Sequence, residues 1–389
     1  MAGPLSHVRV LDLSRVLAGP WATQTLADMG AEVVKIERPG LGDDTRGWGP
    51  PFVQAPDPDS GRAGMAAYFT CANRGKRSVA IDFTTPEGAR LVREMAASAD
   101  VVVENFKRGG LVKYGLDYES LKAVKPDLVY CSITGFGQTG PYADRAGYDA
   151  MIQAMGGLMS ITGQPDGEPG AEPMKVGVAV VDLFTGMYAA TGILAALAHR
   201  DRTGEGQWID LALLDVQVAM LANQAANFLV SGTAPGRMGN AHPNICPYQA
   251  FPAADGHLML AVGNDQQFRR FCAVAGREDL ADDPRFATNK KRVENRAVLV
   301  PLVRALLAAR PRDEWIAGLE AAGVPCGPIN TIDQVFAHPQ VKARGMVVES
   351  RLPDGTIVPM VANPLKFSAT PLGPWAAPPV MPPEHDGHD

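Results

Sequence analysis

Over its first 135 residues this chain alternates short Val/Ile-rich runs with helical patterns. The runs are VRVLDLS at 8–14, AEVVKIE at 31–37, RSVAIDF at 77–83, DVVVENF at 100–106 and LVYCSITGF at 128–136. Near-continuous apolar runs imply strands covered on both faces, and helices between strands supply the crossovers that parallel pairing needs. A Rossmann-like, doubly wound parallel α/β sheet is therefore expected. The helices carry their own start signals. One is expected near 21–29, and in TTPEGARLVREMAAS, at 84–98, Thr85 stands as N-cap, with Pro86 in the first turn and Glu87 beside it.

Past Tyr148 the pattern turns helical, with candidate helices at 148–159 and 183–199 joined by the Gly/Pro-rich GQPDGEPGAEP. QWIDLAL, at 207–213, reads as a strand leading into a long helix that ends near Val230. From 232 to about 325 the short strands PYQAFPA and GHLMLAVG precede short helices with charged loops. The expected organisation is a large α/β domain made of 1–225 and 326–389, with a smaller α+β domain at 226–325. SRLPDG and TIVPMVANP close the fold as strands, and the Pro-rich tail PLGPWAAPPVMPPEHDGHD is expected to be extended over a surface or disordered.

With a net charge of −6 over 389 residues, the chain has no global positive field for nucleic acid or an anionic membrane surface, so neither is expected as a partner. Its five cysteines form no CxxC pair and no zinc spacing, so no metal is expected and a reducing cytoplasm is the expected setting. The N-terminus lacks a signal peptide's basic and apolar regions. The apolar stretch at 187–198 is too short to span a bilayer and reads as a buried helix.

GFGQTG, at 135–140, matches the dinucleotide fingerprint and follows a strand. Pro141, Tyr142 and ADRAG come next, in place of the helix whose N-terminus would hold a pyrophosphate. NAD is therefore not expected.

Asp182 is the most informative single position, a lone carboxylate between the apolar VGVAVV and a helix otherwise free of acids. Two readings are open: a functional carboxylate, or an N-cap accepting amides of the following turn. The basic residues gather in short stretches: Arg38 after the second strand, Arg74, Lys76 and Arg77 in NRGKR, and Lys107, Arg108 and Lys113 after the fourth. Strand C-termini of an open parallel sheet face the ligand crevice, which suits Arg38, Lys107 and Arg108 to an anionic ligand such as a nucleotide phosphate; solvated loop charges are the alternative. Among the seven histidines, His242 in GNAHPNICPYQ is either a substrate contact or a structural loop residue.

Six long blocks carry a resemblance. They are DLSRVLAGPWATQTLADMGAEVVKIERPGLGDDTR, NRGKRSVAIDF, VVVENFKRGG, YCSITGFGQTGPYADRAGYD, VVDLFTGMYAATGILAAL and RTGEGQWIDLALLD. Together they resemble the class III CoA-transferases, the CaiB/BaiF family, over about 8–364. The resemblance implies an enzyme that moves CoA between carboxylic acids, with coenzyme A entering as an acyl-CoA substrate. Asp182 then matches the family's nucleophile, which passes through a mixed anhydride and a β-aspartyl-CoA thioester; an anhydride conserves the energy that hydrolysis would dissipate. CoA contacts carry over to Val16, Ala18, Arg38, Ala72, Asn73, Arg74, Lys76, Asn105, Phe106 and Lys113. Trp48 and Tyr148 match the acyl pocket.

The family also holds α-methylacyl-CoA racemases, the alternative reading, whose proton-abstracting His is replaced here by Tyr148. A phenol, with a reference pKa of about 10, is a poor base at neutral pH. RAGYDAMIQAMGGLMSITG, GNAHPNICPYQAF, AVGNDQQF and GVPCGPINTIDQVFAHPQV look most like the succinyl-CoA:glutarate (hydroxymethylglutarate) branch. The absence of Gln at Leu17, and of a glycine-rich closing loop where AVGNDQQ stands, argues against formyl-CoA and oxalate. Arg15, Arg46 and His242 are then candidate partners for a distal carboxylate, with structural packing or loop salt bridges as the alternative. The resemblance further implies an interlaced homodimer with its active site at the subunit interface. The family's GxHT motif and final helix have no match in the closing HDGHD, which predicts a shortened or disordered end.

Overall fold

The computed structural model describes residues 3–54 and 64–382; the closing HDGHD lies outside them. Six parallel strands form the main sheet: β1 (Arg9–Asp12), β2 (Glu32–Glu37), β3 (Lys76–Ala80), β4 (Val101–Glu104), β5 (Val129–Thr134) and β6 (Trp208–Ala212). Their order is β3-β2-β1-β4-β5-β6. This is the doubly wound order, whose direction reverses between β1 and β4 and leaves a crevice at the strand C-termini there. β4 and β5 are buried along their whole length, polar Glu104, Ser132 and Thr134 included, as strands covered on both faces are.

Helices fill both faces. One apolar cluster joins α1 (Ala18–Asp28) and the long helix α5 (Val180–Thr203) to the sheet through Val10, Val101, Val103, Ile133, Ala189 and Ile193. The other joins α2 (Pro86–Ala97) and α3 (Tyr118–Lys122) through Leu11, Val34, Val92, Ala96, Val102 and Leu121. Thr85 caps α2 as expected, its side chain accepting from Gly88 N. α5, with 24 residues, is longer than expected and is long and apolar enough to cross a membrane. One face packs on α1 and the sheet, while Phe184, Met187 and Tyr188 are exposed on the other. The expected helix at 148–159 is α4 (Asp149–Met155) followed by a single turn, Leu158–Ile161. The helix expected to end near Val230 is two, α6 (Leu213–Met220) and α7 (Ala222–Ser231), bent by 74° where Ala222 takes a positive φ of 44°.

The chain divides into two compact units. The first contains the sheet and comprises Met1–Leu158, Lys175–Gly232 and Pro339–Asp389; the second comprises Met159–Met174 and Thr233–His338. The second unit thus begins at Thr233 and ends at His338, where 226 and 325 were expected, and also takes in Met159–Met174. Arg237 explains this addition, because its guanidinium binds the Gln164 carbonyl and the Asp166 carboxylate. Within this unit Tyr248–Ala253, Gly256–Ala261 and Cys326–Pro328 form an antiparallel sheet over a core that includes Phe251, Phe268, Leu299, Val303 and Trp315.

Beneath the sheet's ligand edge lies a set of buried ion pairs. Lys76 Nζ reaches Asp12 at 3.0 Å, Lys35 reaches Asp43 at 2.9 Å, and Arg46 grips Glu37 with two bonds of 2.7 Å. All six side chains are almost wholly buried. Asp12 also accepts from Ser14 and Thr23, and although burial alone raises its pKa, Lys76 and Lys35 hold it at about 2. Removing one member of a buried pair leaves an uncompensated charge, at a cost of about 3–5 kcal/mol. Lys76→Ala is expected to lose that much stability in urea unfolding followed by circular dichroism; a loss below about 1 kcal/mol would contradict this role for the pair.

Candidate active site

The first unit places Asp182 in the opening turn of α5. It is not the cap of that helix. Asp149, at the start of α4, does that work: its Oδ1 accepts from Val181 N at 2.8 Å and Asp182 N at 3.3 Å, and its Oδ2 accepts from Gln153 Nε2 at 2.6 Å. The Asp182 carboxylate accepts no hydrogen bond among the described residues. Burial, and secondarily the neighbouring Asp149 charge, push its pKa up to about 7. Such a group is an ionisable carboxylate with little to stabilise its charge, which is the condition of a nucleophile.

Two close backbone approaches set this geometry. A Cβ at Gly186 would lie 2.7 Å from the Ala18 carbonyl, so glycine there lets the first turns of α5 close on the start of α1. A Cβ at Gly135 would lie 2.6 Å from Gly147 Cα, so the loop after β5 touches the loop leading into Tyr148 and Asp149. GFGQTG itself runs through bends, with Gly137 N donating to Thr134 and Gln138 N to Asp210. The next helix starts at Asp149.

Around Asp182 opens a cleft of about 440 Å³, walled by Arg15, Val16, Ala18, Asn105, Phe106 and Tyr148, with Leu17, Lys107 and Arg145. A second lobe of about 480 Å³ lies over the C-termini of β1, β2, β3 and β4, and shares Arg15, Phe106 and Gly110 with the first. Arg38 and Lys113 line this second lobe with Ile81, Asp82, Phe83, Thr84 and Tyr114. Phe83 stands edge-on to both Phe106 and Tyr114, giving an aromatic slot bordered by two cations. Val16, a β-branched residue, adopts the left-handed φ of 71°, and its N–H donates to both Asp43 carboxylate oxygens at 3.3 Å. Strain of this kind persists only where surroundings impose it, and here the Lys35–Asp43 pair does so.

Several expected site residues stand elsewhere. Asn73 and Lys76 are buried beneath the sheet edge, joined at 2.9 Å, and Ala72 is buried with them. Arg74 is held by Asp28, the Val361 carbonyl and the ring of Trp375. These four belong to the interior; the strand-end residues Ile81, Asp82, Phe83 and Thr84 line the crevice in their place. The signal for them was available, since they follow β3 at its C-terminal end. Arg46 is likewise committed to Glu37 and stacked on Phe69, so it is no free cation. His242 lies in the second unit, packed beside Tyr248, its Nδ1 accepting from Asn244 N. Burial, with Arg296 adding to it, lowers its pKa, which favours the neutral imidazole. In AVGNDQQ, Asn264 caps a helix and Gln267 accepts from Gly263 N.

Arg15 remains at the cleft, paired with the exposed Asp44. Arg145, which sequence reasoning passed over, lines the same cleft with its guanidinium over Tyr142 and no carboxylate partner among the described residues. Trp48 is half exposed and stands edge-on to Tyr68, 5.2 Å between ring centres. Tyr68 was also missed. Burial, with the charges of Cys71, Asp182 and Asp149 adding to it, raises its phenol to about 12, which keeps it a hydrogen-bond donor.

This arrangement pairs a poorly solvated carboxylate with a two-lobed cleft that is cationic and aromatic at its far end. Comparison with known proteins agrees in kind. A family model described as CoA-transferase family III matches residues 5–385. The succinate–glutarate CoA-transferase of Agrobacterium fabrum is 57% identical over 369 residues, which are 95% of this chain and 90% of that protein. The succinyl-CoA:glutarate CoA-transferase of Mus musculus is 45% identical over 378 residues, 97% of this chain and 84% of that one. A crystal structure of a CaiB/BaiF family protein from Brucella suis aligns with a TM-score of 0.84 at 54% identity, covering 98% of this chain and 97% of that one. With a match along almost its whole length and relatives this similar, the chain belongs to CoA-transferase family III, the CaiB/BaiF enzymes.

Proposed function

We propose that this enzyme moves CoA from succinyl-CoA to glutarate, with Asp182 as the covalent nucleophile. The observation that carries the mechanism is the Asp182 carboxylate itself, unbonded and raised to a pKa of about 7 at the wall of the cleft. The substrate pair rests on the names and identities of the relatives.

In the first step an Asp182 carboxylate oxygen bonds to the thioester carbonyl carbon, and the C–S bond breaks to release CoA thiolate. The thiolate then attacks the Asp182 carbonyl of the mixed anhydride, forming the aspartyl thioester and freeing succinate. Glutarate carboxylate attacks this thioester and expels thiolate again, and the thiolate finally takes the glutaryl group from Asp182. Every step exchanges one acyl bond for another, with no net proton transfer, so a water-poor cleft protects the anhydrides from loss. Val16, Ala18, Asn105 and Phe106 would border the pantetheine arm, while Arg38 and Lys113 would meet phosphate beside the Phe83, Phe106 and Tyr114 slot. Arg15 and Arg145 are the cations suited to the distal carboxylate, and Trp48 and Tyr148 are assigned to the acyl pocket.

An interlaced homodimer is part of this reading. Support comes from apolar residues that are open to solvent, chiefly Phe184, Met187 and Tyr188 on α5 and Leu229 and Val230 on α7, the last two 79% and 89% exposed. A cytoplasmic setting fits five cysteines that all carry free thiols.

Incubation with succinyl-CoA and glutarate is expected to yield glutaryl-CoA and succinate, and Asp182→Ala to lower that exchange by more than about 10³-fold while CoA still binds. An absence of exchange across a panel of carboxylic acids would overturn the transferase assignment, and retained turnover in the variant would move the nucleophile elsewhere. The exchange rate of the native enzyme is expected to rise with pH through about 7 as Asp182 ionises. Asp149→Asn, which keeps the capping oxygen and removes the charge, should shift that rise to lower pH; a shift upward would contradict the repulsion. Sedimentation equilibrium is expected to give about twice the 41.3 kDa chain mass, and a monomer at assay concentration would exclude the dimer.

A further inference from the structure

Glu104 is the last residue of β4, at the switch point of the sheet, with only 6% of its surface exposed. No cation pairs with it among the described residues, and burial raises its pKa to about 7. The mechanism above makes no use of it. An acid held so far from water, without a counter-charge, is an expensive component unless its contacts matter.

Those contacts run across three adjacent strands. Trp208 Nε1, on β6, donates to Ser132 Oγ on β5 at 2.9 Å. Ser132 lies opposite Glu104 in the strand register, and its hydroxyl stabilises the Glu104 carboxylate. Glu104 Oε2 in turn accepts from Phe106 N at 2.8 Å, closing a tight turn over Asn105. The Asn105 side chain then grips the loop after β1 from both sides, accepting from Arg15 N at 2.8 Å and donating to Arg15 O at 2.6 Å. Phe106 carries its ring into both lobes of the cleft, 5.5 Å beneath the Arg15 guanidinium and edge-on to Phe83.

We propose that Glu104 is a positioning residue for CoA recognition. By accepting the Phe106 amide it fixes the Asn105–Phe106 turn, and through Asn105 the Arg15 loop, as the wall common to both lobes. This inference rests on the reading of the two-lobed cleft as the CoA site. It requires no contact between Glu104 and the substrate, so its removal should weaken binding more than it slows the covalent steps at Asp182.

The test uses the full chain with Glu104→Ala, Glu104→Gln and Ser132→Ala, each checked for native circular dichroism and sedimentation. Calorimetric titration with CoA gives Kd, and succinyl-CoA:glutarate exchange gives KM and kcat. Glu104→Ala is expected to weaken CoA binding and raise KM for succinyl-CoA by about tenfold, the equivalent of one charge-assisted hydrogen bond, with a smaller fall in kcat. Glu104→Gln, whose amide oxygen still accepts from Phe106 N, should recover most of the loss, and Ser132→Ala should lie between. An unchanged Kd and KM in the folded Ala variant, a Gln variant no better than Ala, or a fall confined to kcat would each overturn the proposal. Should Glu104→Ala fail to fold, the Gln and Ser132→Ala variants decide: native Kd in the first with a raised Kd in the second supports it, and native Kd in both overturns it. CoA titration does not depend on turnover, so a failure of the glutarate assignment would be seen separately, as absent exchange with CoA binding intact.

Discussion

The ligand edge of the sheet rests on charges that never reach solvent. Asp12 with Lys76, Asp43 with Lys35 and Glu37 with Arg46 lie side by side beneath the loop that follows β1. Lys35 also donates to the Ser14 carbonyl at 2.7 Å, and Asp43 takes the Val16 amide, so the loop is held by groups whose displacement would strand a charge in the interior. An apolar support of equal volume would fill the same space without specifying where each amide points. Here the direction of those amides shapes the cleft, because Val16, Leu17 and Ala18 border it.

A second device acts at the other wall. Two carboxylates meet the N-terminus of α5, and the helix amides serve only one of them. Asp149 takes the bonds, and Asp182 is left with burial and a like-charged neighbour. A helix start ordinarily favours negative charge, so it is the prior claim of Asp149 on those amides that leaves Asp182 uncapped and its pKa raised. The glycine contacts at Gly186 and Gly135 make this possible by bringing two pairs of backbone segments together, α5 with the start of α1 and the loop after β5 with the loop before α4.

The sheet was legible in the sequence because strand burial on two faces leaves an unmistakable apolar run, and the strand order follows from the crossovers. Long-range pairings left no such mark. Nothing in NRGKR distinguishes a cation bound for phosphate from one bound for Asp12, whose partner lies 64 positions away. Arg46 and Glu37 pair across a loop that, as sequence, is simply polar. The capping of α5 by Asp149 is equally hidden, since the acceptor comes from 32 residues upstream. Asp182, by contrast, was conspicuous as a lone carboxylate between an apolar run and a helix otherwise free of acids, and burial still dominates its surroundings in the structure. Phe83 and its neighbours were reachable from the rule that ligands gather at strand C-termini, but the basic residues before the strand drew attention instead.

The last described stretch of chain gives the fold a temporal order. A hairpin, Val347–Arg351 with Ile357–Val361, packs Val358 and Met360 against Met65 and Phe69. At its end Val361 O accepts from Arg74, 287 positions earlier, and beyond it Ala377 O accepts from Gly75 and Pro379 O from Arg46, 333 positions earlier. During synthesis, therefore, the loop region carrying Arg46 and Arg74 leaves the ribosome long before the segment that secures it. The second unit, lying between in sequence, can close its own core first. The part of the molecule nearest the N-terminus is thus among the last to be completed.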